Sequence, residues 1–153
     1  MGYFILVIAQ TVVLPIACGS IELIVTGGNP VEVFGKWWVF WGVGPRLLVA
    51  GFIQVSGKGL TSKILGAAAP TAQEKQITHE LGTANLSMGV AGLLAFVPEW
   101  ALPVGIAGGL YLLMAGLLHV VKKNKGPKEI VATWTDLIVV AAVAILAIYT
   151  ISG

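Results

Sequence analysis

Ile130–Ile151 reads IVATWTDLIVVAAVAILAIYTI, twenty-two consecutive residues with a single charge, Asp136. A bilayer's hydrocarbon core is about 30 Å thick, and about 20 helical residues cross it. The stretch therefore predicts a transmembrane helix, and Asp136 is the residue in it that lipid cannot accommodate alone. Immediately before it runs the basic loop Lys122-Lys123-Asn124-Lys125-Gly126-Pro127-Lys128, which predicts a connection lying on one membrane face.

Working back from that loop, four more apolar segments of the same length emerge, at about Tyr3–Thr26, Trp37–Val55, Ile77–Val97 and Ala101–Val121. Gly27-Gly28-Asn29-Pro30 separates the first two. Pro98 and Pro103 are expected to bracket a tight turn at Glu99-Trp100. The one long connection, Ser56–Gln76, has room for a short interfacial helix near Leu60–Ala68. Composition agrees: 57% of the residues are hydrophobic and 10% charged, against about 25% charged in a soluble domain. Mean hydropathy is +0.92. The expected architecture is all-α, one domain over 1–153, a bundle of five transmembrane helices with a four-helix core plus an amino-terminal helix.

A net charge of +2 does not point to nucleic acid. Cys18 is the only cysteine, so no internal disulfide is possible. The apolar start has no preceding Lys or Arg, and Leu14-Pro15-Ile16-Ala17-Cys18 matches a lipoprotein cleavage box poorly, so the segment is expected to be a retained helix. Pro15 is expected to kink it, a change lipid-embedded helices tolerate when neighbours satisfy the freed carbonyl.

Orientation follows the distribution of basic residues. Lys58, Lys63, Lys75, Lys122, Lys123, Lys125 and Lys128 share one side, and Lys36 stands on the other. The basic loops and the amino terminus are expected in the cytoplasm and the carboxyl terminus outside. Trp37, Trp38, Trp41 and Trp100 then fall near the outer interface, where amphipathic rings are at home, and Glu22 lies close enough to that face to reach water. Gly105 and Gly109 form a G-x-x-x-G pair, and Gly82, Gly89 and Gly92 recur on the third segment. Small residues of this kind let membrane helices approach closely.

The polar residues inside the apolar segments carry whatever function the sequence shows. An ionisable group at the bilayer centre costs about 2.5–3.5 kcal/mol on insertion scales, so each needs a partner or a cavity. The candidates are Arg46, Gln54, His79, Glu80, Asn85, His119 and Asp136. At ~1.5 Å per residue, Arg46 and Asn85 lie roughly 12–14 Å from the cytoplasmic ends and Asp136 roughly 9 Å; the others lie within about one turn of that boundary. Arg46 is always charged and requires a carboxylate, Asp136 or Glu80. Asn85 is placed to extend the network from Glu80 toward Arg46. The expectation is a polar cluster in the cytoplasmic half of the bundle.

Two histidines on different helices raise haem, and His79, Glu80, His119 and Asp136 raise a metal. Neither has the spacing that would support it, so no cofactor is assigned. No nucleophile elbow, phosphate-binding loop or cysteine pair is present.

Arg46-Leu47-Leu48-Val49-Ala50-Gly51 with Gln54, Glu80-Leu81-Gly82-Thr83-Ala84-Asn85-Leu86 with Gly89, Gly108-Gly109-Leu110-Tyr111 with Ala115-Gly116 and His119, and Asp136 together resemble a family of uncharacterised small prokaryotic membrane proteins. That family is in turn loosely similar to the DoxX-like four-helix membrane proteins. The wider group includes a subunit associated with thiosulfate oxidation coupled to quinone. The resemblance covers the chain from about Trp37 onward. The expected role is a non-catalytic or accessory subunit of a larger membrane assembly, partnered by the bilayer and by other subunits or further copies. A quinone-linked redox component, opening near Trp134 and His119, and a small proton-coupled transporter using Glu80 or Asp136 are the alternatives.

Overall fold

The computed structural model describes residues 2–57 and 71–152. The proposed interfacial helix near Leu60–Ala68 lies outside the described residues. Five long helices follow one another: α1 (Gly2–Thr26), α2 (Pro30–Val55), α3 (Ala72–Leu93), α4 (Pro98–Val121) and α5 (Pro127–Ser152). No strand occurs among the described residues. α1, α2, α4 and α5 are each long and apolar enough to cross a membrane; α3 is a 22-residue helix without that hydropathy.

Helix starts run earlier than hydropathy alone implies, because capping residues rather than apolar ones set them. α2 begins at Pro30, seven residues ahead of the expected Trp37. Asn29 is its N-cap, its side chain accepting from the Val31 N–H at 2.9 Å, and Pro30 occupies the first helical turn. α3 begins at Ala72 on a capping box: Glu74 N–H donates to Thr71 Oγ1 at 3.2 Å, and Thr71 N–H to Glu74 Oε2 at 2.6 Å. The turn expected at Glu99-Trp100 is instead the first turn of α4, which starts on Pro98. Pro103 comes so early that the Glu99 carbonyl is the one that loses its donor.

Pro15 acts through α1 in a similar way. Lacking an N–H, it cannot bond the carbonyl four residues back, that of Thr11. The helix widens to a π turn over Ala9–Val13, and the indole N–H of Trp38 on α2 donates to the Thr11 carbonyl at 2.9 Å. A side chain from the neighbouring helix thus replaces the donor that proline removes.

α2 is the hub, packed against every other helix. α3 lies antiparallel to it in backbone contact. A Cβ on Gly89 would sit 2.6 Å from the Leu48 nitrogen, and one on Gly51 2.7 Å from the Gly82 carbonyl oxygen. Gly92 faces Gly44 just as closely. Gly44 and Gly51, like Gly82 and Gly89, are seven residues apart, two turns along one helix face. The Gly105/Gly109 pair of α4 is used inside the bundle, against Val39 of α2 and Val143 of α5. Val39, Val43, Leu47, Leu112, Val139 and Val143 form the centre of the core.

Candidate functional site: polar contacts between the helices

α2 and α5 run antiparallel, with Gly35 against Leu146 and Gly42 against Val139. That register brings Arg46 to Asp136. Arg46 Nη2 donates to Asp136 Oδ1 at 2.5 Å and to Thr135 Oγ1 at 2.9 Å. Only 10% of the Arg46 side chain and 6% of the Asp136 side chain remain exposed. Thr135 also donates to its own helix, to the Val131 carbonyl at 2.8 Å, so its one hydroxyl proton is committed there while its oxygen accepts from Arg46. Among the described residues Arg46 Nη1 has no partner. Of the two carboxylates expected for Arg46, Asp136 is therefore the one it meets.

Glu80 sits elsewhere. On α3 Gly82 packs against Gln54 and Val55, the last turn of α2, so the α3 residues before Gly82 project beyond the α2 end. His79 and Glu80 are exposed on that projection, and Glu80 accepts from Gln76 on its own helix at 3.2 Å. The expected bridge from Glu80 through Asn85 to Arg46 is not formed. Asn85 instead donates to Gln54 Oε1 at 2.6 Å, tying α3 to α2, and its own Oδ1 meets no donor among the described residues.

His119 finds a residue that hydropathy hid. Glu129 had been placed outside the fifth apolar segment, yet it is 1% exposed. It accepts from Lys122 Nζ at 2.7 Å, and His119 Nδ1 stands 3.4 Å away. The signal was Gly126-Pro127: a helix starting on Pro127 carries Glu129 in its first turn, where it turns inward against the end of α4. At the opposite end of the bundle Glu22, expected to reach water, accepts from Lys36 Nζ and from Trp37 Nε1, each at 2.6 Å. The Trp cluster is thereby largely internal: Trp37 and Trp38 bond to α1, and the Trp41 indole nitrogen is buried. Trp100 is the exposed member.

The seven sequence candidates thus divide into two bonded pairs, Arg46–Asp136 and Gln54–Asn85, one residue joined to an unforeseen partner, His119, and two exposed on α3, His79 and Glu80. Among the described residues no three His, Cys, Asp or Glu side chains converge to hold a metal. An apolar groove of about 550 Å³ opens between α1, α2 and α5, lined by Ile16, Phe34, Trp38, Ile138, Ala142 and Ile145. Neither Trp134 nor His119, where an opening is expected, lines it.

These features define a small helical membrane-spanning protein whose intramembrane charges close on one another. The chain belongs to a family of unknown function, DUF6790, whose model matches residues 3–152. No curated protein and no solved structure matches it. The family match reaches the amino-terminal helix, which the sequence resemblance had left out, and shows no similarity to the DoxX-like proteins.

Proposed function

We propose that this protein is a non-catalytic, accessory membrane subunit whose polar side chains hold its own helices in order. The observation that supports this is the Arg46–Asp136 pair, 2.5 Å apart and almost wholly buried, with Thr135 accepting a second bond from the same Arg46 nitrogen. A carboxylate committed in this way is poorly placed to load and release protons. Glu129 is likewise engaged by Lys122. The basic ends of α3, α4 and α5 face the cytoplasm in this reading, as the excess of lysine there implies. α3 makes the return crossing: α2 and α4 pack in parallel, Val39 against Gly105 and Val43 against Gly108, so the chain must come back between them.

Purified protein in liposomes with a trapped pH dye tests this role. Wild type and Asp136→Asn are expected to leak protons no faster than protein-free liposomes. A proton flux that Asp136→Asn abolishes would overturn the accessory role in favour of a proton-coupled carrier. The quinone-linked alternative gains little from the groove, because the lining offers a hydrophobic tail a place but gives a quinone carbonyl no free donor. The Trp38 N–H, the one strong donor among the lining side chains, is already bonded to Thr11.

A further inference from the structure

α3 is the helix least suited to lipid and the one least covered by its own chain. Its buried residues, Gly82, Asn85, Gly89 and Gly92, form one narrow face against α2. Turned away from them, Gln76, Glu80, Thr83, Ser87 and Val90, and Leu94 in the 3-10 turn that follows α3, are all exposed among the described residues. Their spacing is 4-3-4-3-4, the repeat that keeps a stripe on one side of a helix meeting a parallel neighbour. Four of the six are polar. Thr83 and Ser87 bond back to the Glu80 and Thr83 carbonyls at 2.8 and 3.0 Å, leaving a smooth surface of small residues. Gly89 packs on Leu48, which sets Ser87 level with Ala50, about one turn from Arg46 toward the cytoplasmic end and inside the hydrocarbon in this reading.

We propose that this stripe is the contact face for a second copy of the same chain, two α3 helices meeting side by side about a two-fold axis along the membrane normal. The inference rests on the reading that α3 crosses the bilayer. A two-fold contact requires a self-complementary surface, and charge supplies it. In the parallel 4-3 arrangement each stripe side chain enters a hole of four residues on the facing helix, which for Glu80 are Gln76, His79, Glu80 and Thr83 of the other copy. The two Glu80 carboxylates therefore meet near the axis, each also beside His79 of the other copy, and the two imidazoles offset the like charges at the cytoplasmic end. Deeper in, Thr83 and Ser87 are small enough to let the two backbones approach, the packing that membrane helices use in place of hydrophobic drive.

Cysteine cross-linking in native membranes tests the contact, since Cys18 is the single native cysteine and Cys18→Ala gives a clean background. On that background Thr83→Cys and Ser87→Cys are expected to form a disulfide-linked dimer under mild oxidation. Ile24→Cys and Ile148→Cys, exposed on other helices, are expected to stay monomeric. Absence of dimer at both stripe positions, equal dimer at the controls, or an adduct of some other mass overturns the second copy as occupant. Rapid labelling of Ser87→Cys by a membrane-impermeant maleimide overturns the proposal differently: α3 would then lie in water, and the crossing itself would fall. His79→Ala is expected to lower the cross-linked fraction at Ser87→Cys severalfold, and no change would remove the charge contact.

Discussion

The hub helix α2 is held on two sides by opposite means. Toward α3 it offers Gly44 and Gly51, and the helices touch backbone to backbone. Toward α5 it offers Arg46, whose long side chain reaches across to Asp136 and Thr135. The first contact draws on dispersion between surfaces with nothing projecting from them. The second is directional, and its strength depends on both charges being present. The difference teaches how tolerance is distributed. A glycine seam fails when anything is added, whereas an ion pair fails when one member is taken away.

The largest effect is expected from breaking the ionic side unevenly. Asp136→Ala leaves the Arg46 guanidinium buried without its carboxylate, and should destabilise the protein by about 3–5 kcal/mol, read as unfolding in mixed detergent–SDS micelles. Replacing both residues by methionine should recover most of that loss. If the double variant is as unstable as the single one, the pair matters for more than helix packing. On the other side, Gly89→Val should cost about 1–3 kcal/mol by the same measurement. Because the Leu48 backbone nitrogen at 2.6 Å and the Gly44 carbonyl at 3.0 Å obstruct it as well as the Leu48 Cγ at 2.7 Å, trimming Leu48 to alanine should rescue it only in part. The smallest effect concerns a third contact of α2. Trp38→Phe should cost about 1 kcal/mol by orphaning the Thr11 carbonyl. In a Pro15→Ala background, where the helix regains its own donor, that cost should shrink; an unchanged cost would mean that the indole serves packing alone.

Much of this contrast can be read from the chain before any coordinates. Charges inside apolar segments mark Arg46 as needing a carboxylate, Asp136 or Glu80, because hydrocarbon offers it nothing else, and the recurrence of Gly82, Gly89 and Gly92 marks a close-packed face. What hydropathy cannot convey is register. His79 and Glu80 lie within an apolar window, yet α3 slides past the end of α2 and carries them out of the bundle. Glu129 shows the reverse case. It sits beside a basic loop, yet the inward turn of a helix begun at Pro127 buries it under Lys122. Three helix starts lie toward the amino terminus of the apolar stretch for the same reason: the caps Asn29 and Thr71, and Pro98 in the first turn of α4, govern where backbone bonding begins, whatever the hydropathy of the residues that follow.

The bond from Trp38 to the Thr11 carbonyl bears on how the chain enters its membrane. Until α2 has emerged from the ribosome, the first helix has a peptide oxygen that its own backbone cannot satisfy, and hydrocarbon offers no substitute. Twenty-seven residues of further synthesis separate the oxygen from its donor. The two segments are thus suited to partition together as a hairpin, the second completing the first as both leave the translocon.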